Sequence, residues 1–369
     1  MKSGIVEKWK SAKGNSSTIP LFHHHPAIMK ILVYLEKSSV RGGIEVFAER
    51  HVAELRAEGH EVDVVDDVRQ ETGDATNPSH VSRLTSHAIE NALLSEFDEI
   101  IVHKCSDVAT LERFPPEKTV YYVHDHEPIC PRSYAYTLFG NNCSRPGGIW
   151  PCIFCAPLCR NWKPALKRVF AQRRRIAAMA RFRKIVVISE FMKSRLVANG
   201  LDAAKIEVKP PVIDARGARD SSESRGSSES SPSRLDLLYV GQLIRGKGVQ
   251  LLLQAMAQMK APRILDVVGT GNMEPKLKAL AAKLDIADRV RFNGFQTNPQ
   301  DWMRRAACVV VPSFWQEPYG LVAAEAVALG RPVVAFAIGG LPEACGGKAT
   351  LVEAGNVAAL AEALEGVGF

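Results

Sequence analysis

Short apolar strands alternate with amphipathic helices along most of this chain, and the alternation occurs in two separate series. The first series starts with a strand at residues 30–35, and the second starts with a strand at residues 235–240. Strands that alternate with helices form parallel sheets covered by helices. A chain of 369 residues is also too long for one comfortable core. The pattern therefore predicts an α/β protein with two Rossmann-like domains whose parallel sheets face a cleft.

The predicted domain boundaries follow changes in composition. Residues 215–234 are rich in Ser, Arg and Glu, so we expect a linker there between domains at 29–214 and 235–369. Residues 1–28 are polar and are expected to form a disordered extension before Met29. The C-terminus follows directly after one last predicted helix, so a truncated second domain is one interpretation of the sequence.

The composition also bears on where the protein acts. Its 46% apolar and 24% charged residues are ordinary for a soluble globular protein. The longest apolar stretches are the length of strands, well short of the roughly 20 residues that span a bilayer. The first 28 residues lack the apolar segment of a secretory signal. We therefore expect a cytoplasmic protein.

Positive charge is concentrated in residues 160–184, which hold ten Arg and Lys and no acid. Such a patch suits an anionic partner, and because no nucleic-acid module accompanies it, nucleic acid is not expected. The remaining interpretations are a solvated helix face or peripheral contact with an anionic inner membrane face or a lipid-linked acceptor. The apolar residues among these cations are Trp162, Leu166, Phe170, Ile176 and Met179.

The most informative motif lies at residues 317–343, where EPYGLV is followed by Glu325, by GRPVV and by GGLPE. A Pro-x-Gly turn enters a helix of small residues, whose first backbone N–H groups are unpaired and form a site for a diphosphate. Glu317 precedes this helix and Glu325 lies about two turns inside it, so they are roughly 12 Å apart. That exceeds the roughly 5–9.5 Å between the carboxyls of a glycoside hydrolase. The two acids therefore suit the two ends of a ligand as long as a sugar nucleotide.

This motif resembles the Glu-x7-Glu signature of glycosyltransferase family four, whose members share the GT-B fold. The resemblance extends over nearly the whole chain from Met29. It implies that the first domain binds the acceptor and the second binds a nucleotide sugar. It further implies that Glu325 binds the nucleotide ribose and that Glu317 faces the hydroxyls of the transferred sugar. The donor would also contact Tyr319, Gly320, Leu321 and Val322.

A second loop of the same domain has the sequence GQLIRGKG at residues 241–248 and follows a strand. It is similar to the family's Gly-Arg-Leu…Lys-Gly loop, whose two cations neutralise the leaving diphosphate. Lys247 matches the lysine, whereas Gln242 stands where the family has arginine. Arg245 is the candidate to replace the missing charge. Cations at this point would stabilise the negative charge that grows as the sugar–phosphate bond breaks.

Other candidate residues follow the strands of both domains. Gly42 and Gly43 lie after the first strand, where the resemblance implies a loop that faces the acceptor and the phosphates. His124 ends the strand at residues 119–123 and matches the family's histidine beside the transferred sugar, with His126 as the alternative. The positions that resemble the nucleotide-proximal loops of the family are Gly269, Gly271, Asn293, Gly294 and Phe295.

Five of the eight cysteines lie between residues 130 and 159, in a Cys-rich loop predicted at 128–159. Four thiolates at such spacings can bind zinc tetrahedrally, and a closed site of this kind is structural rather than catalytic. A loop with free or buried thiols is the alternative. The predicted zinc ligands are Cys130, Cys143, Cys152 and Cys155.

These observations predict a retaining hexosyl- or glycosyltransferase of the EC 2.4 class, active in glycan or glycolipid biosynthesis. It would move a sugar from a nucleotide diphosphate to a hydroxyl of a glycan or lipid-linked acceptor. Retention follows from cations and helix N–H groups that converge on the leaving diphosphate, with no second carboxylate placed for a double displacement. The resemblance implies that catalysis requires no cofactor. The alternatives are a non-hydrolysing sugar-nucleotide epimerase and a catalytically weak nucleotide-sugar-binding protein.

Overall fold

The computed structural model of the chain describes residues 28–37, 43–68, 94–130, 142–143, 152, 162–213 and 235–368. These residues form two lobes, each built around a six-stranded sheet in which the paired strands run parallel. The predicted linker and nearly all of the predicted N-terminal extension lie outside the described residues.

The first lobe has the strand order β2-β1-β3-β4-β5-β6. Its strands are β1 Lys30–Lys37, β2 Glu61–Val68, β3 Glu99–Lys104, β4 Thr119–Val123, β5 Lys184–Val187 and β6 Ile206–Val208. Its helices are α1 Gly43–Ala57, α2 Val108–Arg113, α3 Trp162–Arg181 and α4 Glu190–Val197.

The second lobe has the strand order β12-β11-β10-β7-β8-β9. Its strands are β7 Leu235–Val240, β8 Leu265–Val268, β9 Val290–Phe292, β10 Ala306–Val311, β11 Val333–Phe336 and β12 Thr350–Val352. Its helices are α5 Val249–Gln258, α6 Glu274–Lys283, α7 Pro299–Arg305, α8 Leu321–Ala328, α9 Leu341–Cys345 and α10 Val357–Glu365.

Apolar runs form the central strands because helices cover both faces of each sheet. Every residue of β4 and of β10 is buried, as expected for parallel strands that lack a solvent face. The predicted strands at residues 119–123 and 235–240 coincide with β4 and β7. The predicted α/β architecture of two parallel sheets is confirmed.

Each sheet contains one point at which the direction of its strand order reverses. In the first sheet the chain leaves β1 for β2 on one side and returns to β3 on the other. In the second sheet the same reversal lies between β7 and β10. Loops diverge at such a point beyond the carboxyl ends of the strands, which leaves a crevice for a ligand. The loops after β7 and β10 carry Lys247 and Glu317, so topology alone brings these two residues to one crevice.

Gly248 allows these two loops to approach each other closely. It has a left-handed backbone with φ of 76°, and a Cβ at this position would lie 1.8 Å from the carbonyl oxygen of Pro312. Only glycine tolerates both the conformation and the contact. The close approach holds Lys247, the preceding residue, next to the loop that contains Glu317.

The lobes meet along residues 314–318 of the second lobe. The Ser189 hydroxyl donates to the carbonyl of Pro318 (2.5 Å), and the Asn142 amide donates to the carbonyl of Phe314 (2.9 Å). Farther along the chain, the carboxylate of Glu343 accepts hydrogen bonds from the backbone N–H groups of Glu190 (2.6 Å) and Phe191 (2.8 Å). A carboxylate of the second lobe therefore caps the first turn of α4 in the first lobe.

We predict that Gly248→Ala destabilises the second lobe far more than Gly347→Ala does. Gly347 has nearly the same φ, 75°, but no atom lies within 4 Å of a Cβ built on it. Both substitutions incur the roughly 1–2 kcal/mol of a left-handed alanine. In Gly248→Ala the steric overlap destabilises the fold by a further 1–3 kcal/mol, roughly. Urea unfolding of the two variants measures the difference, and equal midpoints would contradict the assigned contact.

Candidate active site

Glu317 lies at the centre of the crevice of the second lobe, and one of its oxygens accepts three hydrogen bonds. The donors to Oε1 are Lys247 Nζ (2.6 Å), Ser313 Oγ (2.7 Å) and Trp315 Nε1 (2.7 Å). The second oxygen, Oε2, accepts no hydrogen bond from the described residues. It is therefore the oxygen available to a ligand hydroxyl.

The charge on Glu317 is stabilised despite its burial. Its side chain is 8% exposed, and burial by itself raises the pKa of a carboxyl group. The positive charge of Lys247 and the three donors outweigh this effect and hold the pKa of Glu317 below its ordinary value. The Lys247 amine also lies 5.0 Å from the centroid of the Trp315 ring. The crevice thus presents a fixed anion and a fixed cation side by side.

The start of α8 provides unpaired backbone donors next to this pair. Gly320 precedes the helix with φ of 115°, and no side chain caps the helix. The first intrahelical bond to Gly320 is made by the N–H of Ala324 (3.1 Å), so the N–H groups of Leu321 and Val322 have no helical acceptor. The ring of Tyr319 packs against the core of the first lobe. Its contact with a donor stays a prediction.

Glu325 lines a cavity of about 260 Å³ between the lobes, together with Gly43, Leu321 and Arg50. Burial raises the pKa of Glu325, and the positive charge of Arg50 partly opposes this. Two carboxylates, those of Glu54 and Glu325, line the cavity, which joins the predicted acceptor loop to the predicted ribose-binding residue. Gly42 lies outside the described residues.

The glycine-containing loops after β8 and β9 are bound to each other and to the loop after β7. The N–H of Gly269 donates to the carbonyl of Gly294 (2.7 Å), and the N–H of Leu243 donates to the carbonyl of Thr270 (2.9 Å), next to Gly271. These backbone hydrogen bonds connect the three loops at the carboxyl ends of neighbouring strands.

The side chains of these loops differ in their hydrogen bonding and exposure. Asn293 donates its amide to Asp266 Oδ1 (2.9 Å), whereas Phe295 is 74% exposed and offers its ring as a stacking surface. Gln242 and Arg245 are exposed, and the carbonyl of Gln242 accepts from the hydroxyl of Tyr239 (2.9 Å). Arg245 lies in the same short helical turn as Lys247.

His124 follows β4 and is the first of three hydrogen-bonded histidines. Its Nε2 lies 3.0 Å from Nδ1 of His103, and Nε2 of His103 lies 3.1 Å from Nδ1 of His51. Burial lowers the pKa of His124 to about 3 and that of His51 to about 4, and it also lowers the pKa of His103. The three rings are therefore neutral at physiological pH.

His126, the alternative site histidine, connects the lobes. Its Nε2 lies 2.7 Å from the carbonyl oxygen of Gln316. A carbonyl only accepts, so Nε2 carries the proton. Burial lowers the pKa of His126 to about 4, although the bond to Gln316 opposes the shift. The ring is buried, and it fixes the residue that precedes Glu317.

The predicted zinc site is not assembled by the part of the chain that is described. Within it, no group of three His, Cys, Asp or Glu side chains could hold a metal ion. Cys130 and Cys143 are free cysteines, Cys152 is half-buried, and Cys155 lies outside the described residues. The backbone carbonyl of Cys143 accepts from Arg195 (3.0 Å), which attaches this segment to α4. Structural zinc stays a prediction that metal analysis of the purified protein tests.

Sequence reasoning missed four residues of this site. Ser313 and Trp315 precede Glu317 by four and two residues, just before the motif at 317–343, and their spacing matches no recognised pattern. His103 lies near the end of β3, next to β4, which His124 follows. Histidines near the ends of two strands were the available signal. His51 lies on a helix face, where a histidine is indistinguishable from a core residue.

The chain matches two family profiles that divide it in the same way as its lobes. Residues 41–216 match the family described as Glycosyltransferase Family 4, and residues 234–367 match Glycosyl transferases group 1. D-inositol 3-phosphate glycosyltransferase of Pseudarthrobacter chlorophenolicus is 35% identical over 179 residues, which cover 45% of this chain and 42% of that protein. The chain thus spans less than half the length of this curated relative.

Solved structures resemble both lobes together. HepE of Anabaena, crystallised in complex with UDP-glucose, has a TM-score of 0.65 at 18% identity and covers 91% of this chain and 89% of its own. Sucrose-phosphate synthase of Thermosynechococcus elongatus has a TM-score of 0.59 at 20% identity, with 91% and 88% covered. At these identities the likeness establishes the GT-B fold. Both profiles and this fold show that the chain belongs to the family four and group 1 glycosyltransferases.

Proposed function

We propose that the protein transfers a sugar from a nucleotide diphosphate to an acceptor hydroxyl, with retention at the anomeric carbon. The observation that carries the proposal is the Lys247–Glu317 pair at the strand reversal of the second lobe. Lys247 would neutralise the leaving diphosphate, aided by the unpaired N–H groups of α8. Glu317 would accept hydrogen bonds from the sugar through Oε2.

The environment of Glu317 argues against a covalent intermediate on this residue. Three hydrogen bonds to Oε1 and the pairing with Lys247 stabilise the negative charge of the whole carboxylate and hold its pKa below the ordinary value. A carboxylate stabilised in this way is a weaker nucleophile at either oxygen. Attack by the acceptor on the face that the diphosphate leaves therefore accounts better for retention than a double displacement on Glu317.

The bound ligands of similar proteins support a nucleotide sugar as the donor. The crystallised HepE complex contains UDP-glucose, and the profile matches divide this chain into the two lobes that such a donor would bridge. We propose that the acceptor is a hydroxyl of a glycan or lipid-linked molecule. Catalysis would need no cofactor, because Lys247 and the α8 donors supply the positive potential.

The proposal is tested with a panel of UDP-, GDP- and ADP-sugars in the presence and absence of glycan and lipid-linked acceptors. Acceptor-dependent release of nucleoside diphosphate, with an anomerically retained product by NMR, is the expected result. An epimerised sugar nucleotide without acceptor would identify an isomerase instead. Nucleotide-sugar binding without turnover across the panel would identify a binding protein.

We predict that Lys247→Met lowers turnover by on the order of 100-fold, because one preorganised cation is lost from the leaving group. The single variant also leaves a buried carboxylate unpaired, which destabilises a protein by about 3–5 kcal/mol. The double variant Lys247→Met/Glu317→Gln removes both charges and should recover thermal stability without recovering activity. Lys278→Met, which removes an exposed i,i+4 ion pair, is the control and should keep wild-type turnover.

We predict different effects for the two acids of the motif. Glu325→Ala should weaken nucleotide binding by about 1.5–3 kcal/mol, the free energy of a hydrogen bond to a charged group. Glu317→Ala should mainly slow sugar transfer and leave the affinity for free nucleoside diphosphate nearly unchanged. Calorimetry and initial rates separate the two, and equal losses of affinity would contradict the assignment.

We also propose that α3 contacts an anionic membrane surface. No described helix is both long and apolar enough to cross a bilayer, so such contact would be peripheral. One face of α3 exposes cations around Phe170, which is 54% exposed. Arg175 points inward instead and donates to the carbonyl of Ser106. Among the described side chains of α3, the exposed cations are Lys167, Arg173, Arg174 and Arg181.

Charge reversal on this face should release the protein from lipid. Each cation near an anionic surface contributes about 1 kcal/mol, so Arg173→Glu/Arg181→Glu should weaken binding to phosphatidylglycerol vesicles by at least about 10-fold. Lys276→Glu/Lys283→Glu on α6, also exposed, is the matched control. If both variants sediment equally with vesicles, this face of α3 does not bind the membrane.

A further inference from the structure

The three hydrogen-bonded histidines form a continuous chain between two places in the cleft. At one end, Nδ1 of His124 makes no hydrogen bond to the described residues. At the other end, Nε2 of His51 lies 3.5 Å from the hydroxyl of Tyr122. His51 and Tyr122 line the same cavity as Glu325. The chain therefore connects the wall of this cavity with the histidine predicted to face the transferred sugar.

Counting protons restricts this chain to two arrangements. Three neutral imidazoles carry three N–H groups, and each of the two N···N contacts contains one hydrogen. One hydrogen remains, and it must lie at one end of the chain. Either His124 carries Nδ1–H and His51 has a bare Nε2, or His124 has a bare Nδ1 and His51 carries Nε2–H.

The hydroxyl of Tyr122 favours the first arrangement. Burial raises the pKa of Tyr122, so its hydroxyl stays protonated, and a phenol donates a hydrogen bond more readily than it accepts one. Donation to a bare His51 Nε2 requires His51 to donate from Nδ1 to His103. His103 then donates from Nδ1 to His124, which leaves the remaining hydrogen on Nδ1 of His124.

Phe47 protects the chain from water. Its ring lies edge-on to those of His124 and His103, with centroids 4.9 and 5.7 Å apart.

We propose that His51 and His103 are positioning residues that hold His124 as its Nδ1–H tautomer, as a hydrogen-bond donor to a substrate oxygen. The inference rests on the proposed sugar transfer only for its catalytic consequence. The tautomer itself is a property of the protein without ligand. A free imidazole in water prefers the other tautomer, so the chain imposes a state that His124 would not adopt alone.

The tautomer is measured directly by long-range 1H–15N correlation on histidine-labelled protein, with the His124 signals assigned from a His124→Gln spectrum. We expect Nδ1–H on His124 in the wild type and a shift toward Nε2–H in Tyr122→Phe and in His103→Leu. His60 is the control, because its Nδ1 accepts from the backbone of Met29 (3.3 Å) apart from the chain. His60→Leu should leave His124 unchanged.

The catalytic role is measured by kcat and KM of the same variants. His103→Leu should lower kcat by on the order of 10- to 100-fold with KM for the nucleotide sugar within about twofold, as for a misoriented catalytic group. His103→Asn places an amide donor where Nδ1 was and should restore most of kcat.

The outcomes separate the inference from the proposed function. A His124 that carries Nε2–H in the wild type, or that is unaffected by His103→Leu, would overturn the inference. So would a changed tautomer with unchanged kcat. If no sugar nucleotide supports transfer by the wild type, the proposed function fails, and the tautomer measurement alone decides whether the chain orients His124.

Discussion

Much of the candidate site depends on the ion pair between Lys247 and Glu317. A carboxylate as buried as Glu317 is stable only when a cation and hydrogen-bond donors compensate for its lost hydration. Lys247 reaches it because Gly248 lets the two loops approach through a contact that no other residue permits. The pair then fixes the loop at residues 314–318, whose carbonyls accept the hydrogen bonds of the first lobe. Local charge compensation and the assembly of the lobes are thus parts of one arrangement.

The fold was largely predictable because each strand is determined by the apolar residues of its own short segment. A buried parallel strand needs a largely apolar run, and the runs that became β4 and β7 would be unfavourable as solvent-exposed segments. The placement of Lys247 near Glu317 also followed from pattern, since both residues come after neighbouring strands at a reversal of strand order. The packing of Tyr319 was not predictable in this way. The residue belongs to the EPYGLV motif of the second lobe, and its ring packs against the core of the first lobe.

The histidine chain could not be predicted because its members are distant in sequence and ordinary in their local context. His51, His103 and His124 come from a helix and from the ends of two adjacent strands, and only the tertiary packing aligns their ring nitrogens. The same holds for the three donors to Glu317, whose directions depend on side-chain rotamers. A sequence motif specifies which residues enter a crevice, whereas hydrogen-bond direction is decided by the packed structure.

The cap that Glu343 provides for α4 has a consequence for how the two lobes are held together. A helix end retains its dipole and its unpaired N–H groups when its acceptor departs, and such a cap contributes about 1 kcal/mol. Here the hydrogen-bond acceptor belongs to the other lobe, so separation of the lobes would expose the end of a helix in the first lobe. The same GGLPE segment also contacts the candidate site, because the N–H of Gly340 donates to the carbonyl of Glu317 (2.8 Å). Any movement that separates Glu343 from α4 is therefore felt one hydrogen bond away from the buried carboxylate.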